Sequence, residues 1–181
     1  MATVQGGDAP TDTGPQPADD EWLRTSTYGN RWLLYLRSPN GKALDRLLVR
    51  YTGLSLITWA FARVGNKPYT PTLLLTTIGC RTGALRSSAL PFFPVGDDLV
   101  VVGSAGGGPT DPKWVSNLKA DAHCWLTIRR RTVPAIGRAT AGAERAQLFE
   151  EVALQHLGLR DYQTSAERYG RDVPLVVLNP R

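Results

Sequence analysis

Apolar residues in this chain follow two different spacings, and the change comes near Pro71. Upstream, Leu44, Leu47, Leu48 and Tyr51 recur at intervals of three and four, which predicts a helix from Lys42 to about Val64. Trp22, Leu33, Leu34 and Leu36 predict an earlier helix over 21–36. Ser38-Pro39-Asn40-Gly41 reads as the break between the two, and Gly65-Asn66-Lys67-Pro68 as the stop. Downstream, period-two alternation and short apolar runs predict strands Thr72–Thr77, Ser87–Pro94, Leu99–Gly103, His123–Arg129, Thr132–Ala139 and Pro174–Leu178. Val95-Gly96-Asp97-Asp98 makes a hairpin of the second and third, and Arg130-Arg131 supplies a turn between the fourth and fifth. Asp111 followed by Pro112 reads as the N-cap and first residue of a short helix to Lys119. A longer helix is expected over Ala143–His156, and a further turn or two over Tyr162–Tyr169. Hairpin-linked strands outnumber βαβ units, so the expected fold is α+β, mainly antiparallel, with the sheet curled into a small barrel covered by helices.

Composition refines this division. Residues 1–20 are rich in Gly, Pro, Asp and Thr and predict an acidic disordered tail, followed by helices over 21–67 and a barrel over 68–181. The chain carries 21 Lys+Arg against 16 Asp+Glu, a net charge of +5. Five of those acids and no base fall in residues 1–21, so the remainder sets 21 bases against 11 acids and stands at +10. A basic body suits an anionic small molecule, an anionic membrane surface or nucleic acid. Nucleic acid is disfavoured, because Arg129-Arg130-Arg131 has no aromatic platform interleaved with it. The basic, leucine-bearing helices before Pro71 leave two roles open, covering the barrel or resting on an anionic membrane.

Cys80 and Cys124 are the only cysteines, too few for a disulfide framework or a structural zinc site, which fits a reducing compartment. The N-terminus lacks the basic and apolar regions of a secretory signal. The run Leu54–Ala62 is broken by Ser55 and Thr58 and is about half of the ~20 residues a membrane span needs. The expected location is cytoplasmic, with membrane association left open.

Candidate chemistry gathers between residues 72 and 119. An apolar strand empties into Gly79-Cys80-Arg81-Thr82-Gly83, with Arg86 just beyond, and two strands later comes Ser104-Ala105-Gly106-Gly107-Gly108. Guanidinium groups on one loop and bare backbone N–H groups on another are two ways to hold an anion. A solvated hairpin and a plain wide loop are the bland alternatives. Neither segment is a P-loop or a dinucleotide-binding fingerprint. Trp114 and Asn117 project from the helix that follows, Trp114 reading more as a packing anchor than as a ligand contact. His123 and His156 are the only histidines and form no metal cluster, so no metal is expected. Cys80 lacks a histidine partner for nucleophilic chemistry. Tyr162 either donates a proton to a substrate carbonyl or simply packs.

Taken in order, LLLTTIGCRTGALRSSALPFF, LVVVGSAGGG and PTDPKWVSNLKA resemble the deazaflavin-dependent nitroreductase family over about residues 68–180. That resemblance implies an FMN-binding-like split β-barrel that binds coenzyme F-420, an 8-hydroxy-5-deazaflavin with a phosphate and an oligoglutamate tail. It places Arg81, Thr82, Gly83 and Arg86 at the phosphate or tail carboxylates. It places Pro91, Phe92 and Phe93 along the deazaflavin, and Ser104, Ala105, Gly106 and Gly107 at the edge of its ring and phosphate, with Trp114 also counted among the cofactor-binding residues. Tyr162 matches a family tyrosine near the substrate and becomes the candidate proton donor. The implied reaction is hydride transfer from the reduced deazaflavin to an electron-poor acceptor, whether quinone, enone or nitroaromatic. A non-catalytic barrel carrying a lipid or deazaflavin, or an FMN-dependent reductase, are the alternatives, and pairing into a homodimer is expected by analogy. Cys80 and Arg81 stand where the family pattern has Arg and Lys, and Ala105 where it often has Lys.

Overall fold

The computed structural model describes residues 35–181 apart from Arg37, Gly65, Lys67 and Leu157, so the expected tail and most of the first expected helix lie outside the described residues. Among the described residues, two helices, α1 (Pro39–Thr52) and α2 (Leu56–Val64), stand where the sequence pattern predicts one. The periodicity runs through Gly53, but Gly53 sits at φ 75 and closes α1 with its N–H on the Val49 carbonyl. Only glycine takes that left-handed cap without strain. Ser38 and Pro39, read from sequence as a break, begin α1 instead: the Ser38 hydroxyl accepts from the Gly41 N–H at 3.2 Å, and Pro39 occupies the first turn.

Six strands follow: β1 (Thr72–Ile78), β2 (Leu85–Val95), β3 (Asp98–Val102), β4 (His123–Ile128), β5 (Arg131–Ala139) and β6 (Leu175–Pro180). They close into an antiparallel barrel in the order β1-β2-β3-β6-β5-β4. β2 serves two partners. Its residues 85–91 pair with β1, from Ile78↔Leu85 to Thr72↔Pro91, and residues 92–95 pair with β3, from Phe92↔Val101 to Val95↔Asp98. Pro91 sits at this change of partner, where a missing N–H costs least. The β4–β5 turn falls on Arg129 and Arg130 (φ 45 and 73), one residue earlier than expected from sequence. Both central residues of a two-residue hairpin loop take positive φ there, as its twist requires.

Alternation along the strands makes two cores. Leu73, Leu75, Val101, Leu126, Val176 and Leu178 fill the interior together with Trp114, Val115 and Leu118 of α3 (Lys113–Ala120). The opposite faces of β2, β3 and β6 present Phe93, Val100, Leu175 and Val177 to α4 (Gly142–Gln155) and α5 (Leu159–Glu167), which bury Leu148, Phe149, Val152, Leu159 and Ala166 there.

Candidate active site at one rim of the barrel

β1 and β3 both run antiparallel to β2, so their C-terminal ends emerge at the same rim. The basic turn after β1 and the glycine loop after β3 therefore leave the barrel at the same end. α3 joins them physically: it begins beyond the glycine loop, and its buried Asn117 reaches the basic turn. Asn117 Oδ1 accepts from the Cys80 N–H at 3.1 Å, and its Nδ2 donates to Thr77 Oγ1 at 3.0 Å. Asn117 is thus a staple between helix and turn.

The turn is tightly self-bonded. Gly79 donates to the Ala84 carbonyl at 2.9 Å, Gly83 and Thr82 donate to the Gly79 carbonyl at 2.7 and 3.1 Å, and Thr82 Oγ1 accepts from the Ala84 N–H at 3.4 Å. These bonds leave Arg81 and Arg86 exposed, with no carboxylate within ion-pair distance among the described residues. Gly83 has φ 66 and open space where a Cβ would stand. At the start of β4 on the same rim, the His123 backbone N–H and then its ring bond Asp121, holding that carboxyl below its usual range.

In the second loop, Ser104 is in the right-handed region (φ −64, ψ −37), while Ala105, Gly106 and Gly107 have φ of 47, 68 and 78. Successive right- and left-handed residues turn consecutive N–H groups toward one point. Gly107 and Gly108 donate within the loop, to the Ser104 and Ala105 carbonyls, whereas the N–H groups of Ser104, Ala105 and Gly106 meet no acceptor among the described residues. On the other side lies Arg171, absent from the sequence reading. Its Nε donates to the Gly108 carbonyl at 2.9 Å and its Nη2 to the Ser104 carbonyl at 2.8 Å. Its Nη1 reaches Asp111 Oδ1 at 3.1 Å and the Gly103 carbonyl at 3.4 Å. Asp111, expected as an N-cap, takes this ion pair and another to Lys119 at 3.2 Å, while Pro112 precedes α3 in the cap position.

The remaining expected residues divide. Gly107 is buried against α5, where an added Cβ would lie 2.5 Å from Ser165 Cβ and 3.2 Å from the Tyr162 carbonyl. It is glycine for packing. Trp114 is 6% exposed and plugs the barrel interior, so it acts as a packing anchor. Pro91, Phe92 and Phe93 do not form one wall: Phe92 packs on the interior cluster, and Phe93 points out beneath the helices. There Phe93 meets His156 at 5.2 Å between ring centroids, and His156 meets Tyr162 edge-on at 5.8 Å. The His156 Nδ1 accepts from the Gly158 N–H at 3.2 Å, which fixes the ring. The structure thus brings Tyr162, Phe93 and the glycine loop together through α5. It shows no metal-binding cluster among the described residues.

Solved structures share this architecture. One of an F420-H2 dependent reductase superposes with a TM-score of 0.53 at 25% identity, covering 60% of this chain and 94% of that one. Another, described as a domain-swapped dimer, gives 0.55 at 23% identity over 78% of this chain and all of that one, and supports the fold alone. An F420H(2)-dependent quinone reductase of Mycobacterium tuberculosis is 30% identical over 149 residues, 76% of this chain and 99% of its own. The profile of F420H(2)-dependent quinone reductases matches residues 59–180. With that match across two thirds of its length, the chain belongs to the F420H(2)-dependent quinone reductase family.

Proposed function

We propose that this rim holds reduced coenzyme F420 while its hydride passes to a quinone. The observation that carries the reading is the pairing of two unengaged guanidinium groups with three unpartnered N–H groups on one barrel end. That donor set suits a multiply anionic carrier, and Gly83 leaves room for close approach. In this assignment Arg81, Thr82 and Arg86 take the phosphate and tail carboxylates, and the N–H groups of 104–106 take an anionic edge. The outward face of β2, with Ala89 and Pro91 half-buried, offers a surface for the ring. When bound, the reduced coenzyme supplies the hydride. The protein's own work is orientation, exclusion of water and one proton. Tyr162 gives its phenolic proton to the quinone oxygen and is reprotonated from solvent, while Phe93 and His156 fix the position of its ring.

The test is to titrate the protein with coenzyme F420 by fluorescence, then follow reoxidation of the reduced coenzyme by menadione. Binding with turnover supports the proposal. Binding without turnover favours a carrier, a yellow preparation favours an FMN enzyme, and absence of binding at micromolar coenzyme refutes the assignment. Sedimentation velocity reads whether two copies pair.

The acceptor is lipophilic, and α1 bears on where it is met. Its buried face carries Gly41, Asp45 and Val49, while Leu44, Leu47 and Tyr51 face solvent, continued by Leu54. Asp45 is spent inside, accepting from Ser55 Oγ at 3.0 Å and the Ile57 N–H at 3.2 Å. The outer face is therefore apolar, with Lys42, Arg46 and Arg50 on the same helix and no exposed acid. We propose that this face rests on anionic lipid. Cosedimentation with phosphatidylglycerol vesicles but not phosphatidylcholine vesicles is expected, and equal recovery with both refutes it. No described helix is long and apolar enough to cross a membrane.

A further inference from the structure

We infer that Arg171 is a positioning residue for coenzyme binding, holding the carbonyl side of the 103–108 loop so that its N–H side stands as a preset anion cradle. This rests on the proposal that the loop meets an anionic part of the coenzyme.

The argument starts from the peptide unit. Each trans peptide carries its C=O and the next residue's N–H on opposite sides, and no cis peptide occurs among the described residues. Arg171 bonds the carbonyls of Gly103 and Ser104, so the N–H groups in those same two units, on Ser104 and Ala105, point away from it. Gly106 N–H follows, because its unit's carbonyl, on Ala105, is taken by Gly108. The guanidinium's planar fork spans three carbonyls and a carboxylate with a side chain only 10% exposed, a pattern an ammonium does not match. Asp111 in turn offsets the charge, so the clamp contributes geometry rather than a free cation. A cradle ordered before binding loses less entropy when the anion arrives.

The test compares Arg171→Lys and Arg171→Met with the unaltered protein against two probes, intact coenzyme F420 and the 8-hydroxy-5-deazariboflavin headgroup without phosphate or tail. Each variant's thermal midpoint is recorded, and amide exchange at 104–106 is followed without ligand. We expect Kd and KM for the intact coenzyme to rise about tenfold or more, equivalent to about 1.4 kcal/mol. Headgroup affinity, the quinone KM and kcat at saturating coenzyme should stay within about twofold, and exchange should quicken only in the loop. Asp111→Asn keeps an acceptor for Nη1 and should behave nearly as the unaltered protein, whereas Asp111→Ala should weaken coenzyme binding a few-fold. If Arg171→Met does not fold, Arg171→Lys and the Asp111 pair carry the same comparison. Equal losses for both probes, or loosened exchange with unchanged coenzyme affinity, overturn the inference while leaving the function intact. An unaltered protein that binds no coenzyme overturns both.

Discussion

Replacing Gly107 by alanine tests whether the loop and the Tyr162 helix are one mechanical unit. The new methyl group would stand 2.5 Å from Ser165 Cβ and 3.2 Å from the Tyr162 carbonyl, at φ 78. A left-handed alanine costs about 1–2 kcal/mol. Forcing a methyl into packed atoms costs about 1–3 kcal/mol more, because neither neighbour is the free end of a flexible side chain. Together these come to roughly 2–5 kcal/mol, or about 4–20 °C in melting temperature for a domain of this size. Relieving the clash shifts α5 and the loop apart, so turnover should fall further than stability alone explains. Ser165→Gly removes the nearer struck atom at a helix cost of about 0.5 kcal/mol. In the double variant the Ser165 part of the clash should vanish while the approach to the Tyr162 carbonyl remains, leaving a coupling of about 1–2 kcal/mol in urea unfolding and partial return of quinone reduction. Strict additivity of the two substitutions would falsify the claim that Gly107 is glycine for contact with α5.

Other expectations follow from the same geometry. Arg86→Ala should raise the coenzyme Kd about tenfold or more by fluorescence titration, since a charge-assisted bidentate contact is worth over ~1.4 kcal/mol, and unchanged affinity removes Arg86 from the site. Tyr162→Phe should lower kcat on the order of 10²-fold with coenzyme affinity nearly unchanged, and equal loss of both would count against proton donation. Arg81 and Arg86 are exposed, so affinity for intact coenzyme should fall with added salt more steeply than affinity for the bare headgroup; parallel salt curves would show that these guanidiniums do not engage the anionic part. Native thiol titration should find Cys80 promptly and Cys124 only on unfolding, because Cys124 is buried with its Sγ on the Ala135 carbonyl. Burial pushes the Cys124 thiol from the ordinary 9.0 up to about 11, so its contribution to stability is whole below 9 and is lost as pH rises toward 11. A Cys124→Ala variant with the same alkaline stability profile would contradict this.

The barrel was legible in the sequence because a strand states its buried face locally, residue by residue: Thr72–Ile78, Asp98–Val102 and Arg131–Ala139 lie within a residue of the alternation that predicts them. The basic turn and glycine loop were legible because their compositions are unusual at short range. What escaped depends on partners far along the chain. Gly53 looks like one more helical position until its left-handed cap is seen against Arg129. Gly107 looks like a ligand-facing glycine until α5, over fifty residues later, packs upon it. Phe92 and Phe93 looked like one wall, although neighbouring strand residues must face opposite ways. Arg171 carried no local signal, because its acceptors are carbonyls 63 to 68 positions away and a carbonyl has no sequence identity.

These long-range contacts divide the rim's labour. Asn117 shapes the basic turn through the Cys80 N–H, Arg171 shapes the glycine loop through its carbonyls, and Gly107 seats α5 and with it Tyr162. None of the three needs to touch a ligand. Because they carry the structural burden with buried bonds, Arg81, Arg86 and the N–H groups of 104–106 remain without internal partners and available for external ones. The proposed anion site keeps its shape independently of the side chains at Cys80 and Ala105, since the bonds that hold those segments are made by the Cys80 N–H and the Ala105 carbonyl. Affinity and architecture are thus set by different residues, and substitution can alter the first while sparing the second.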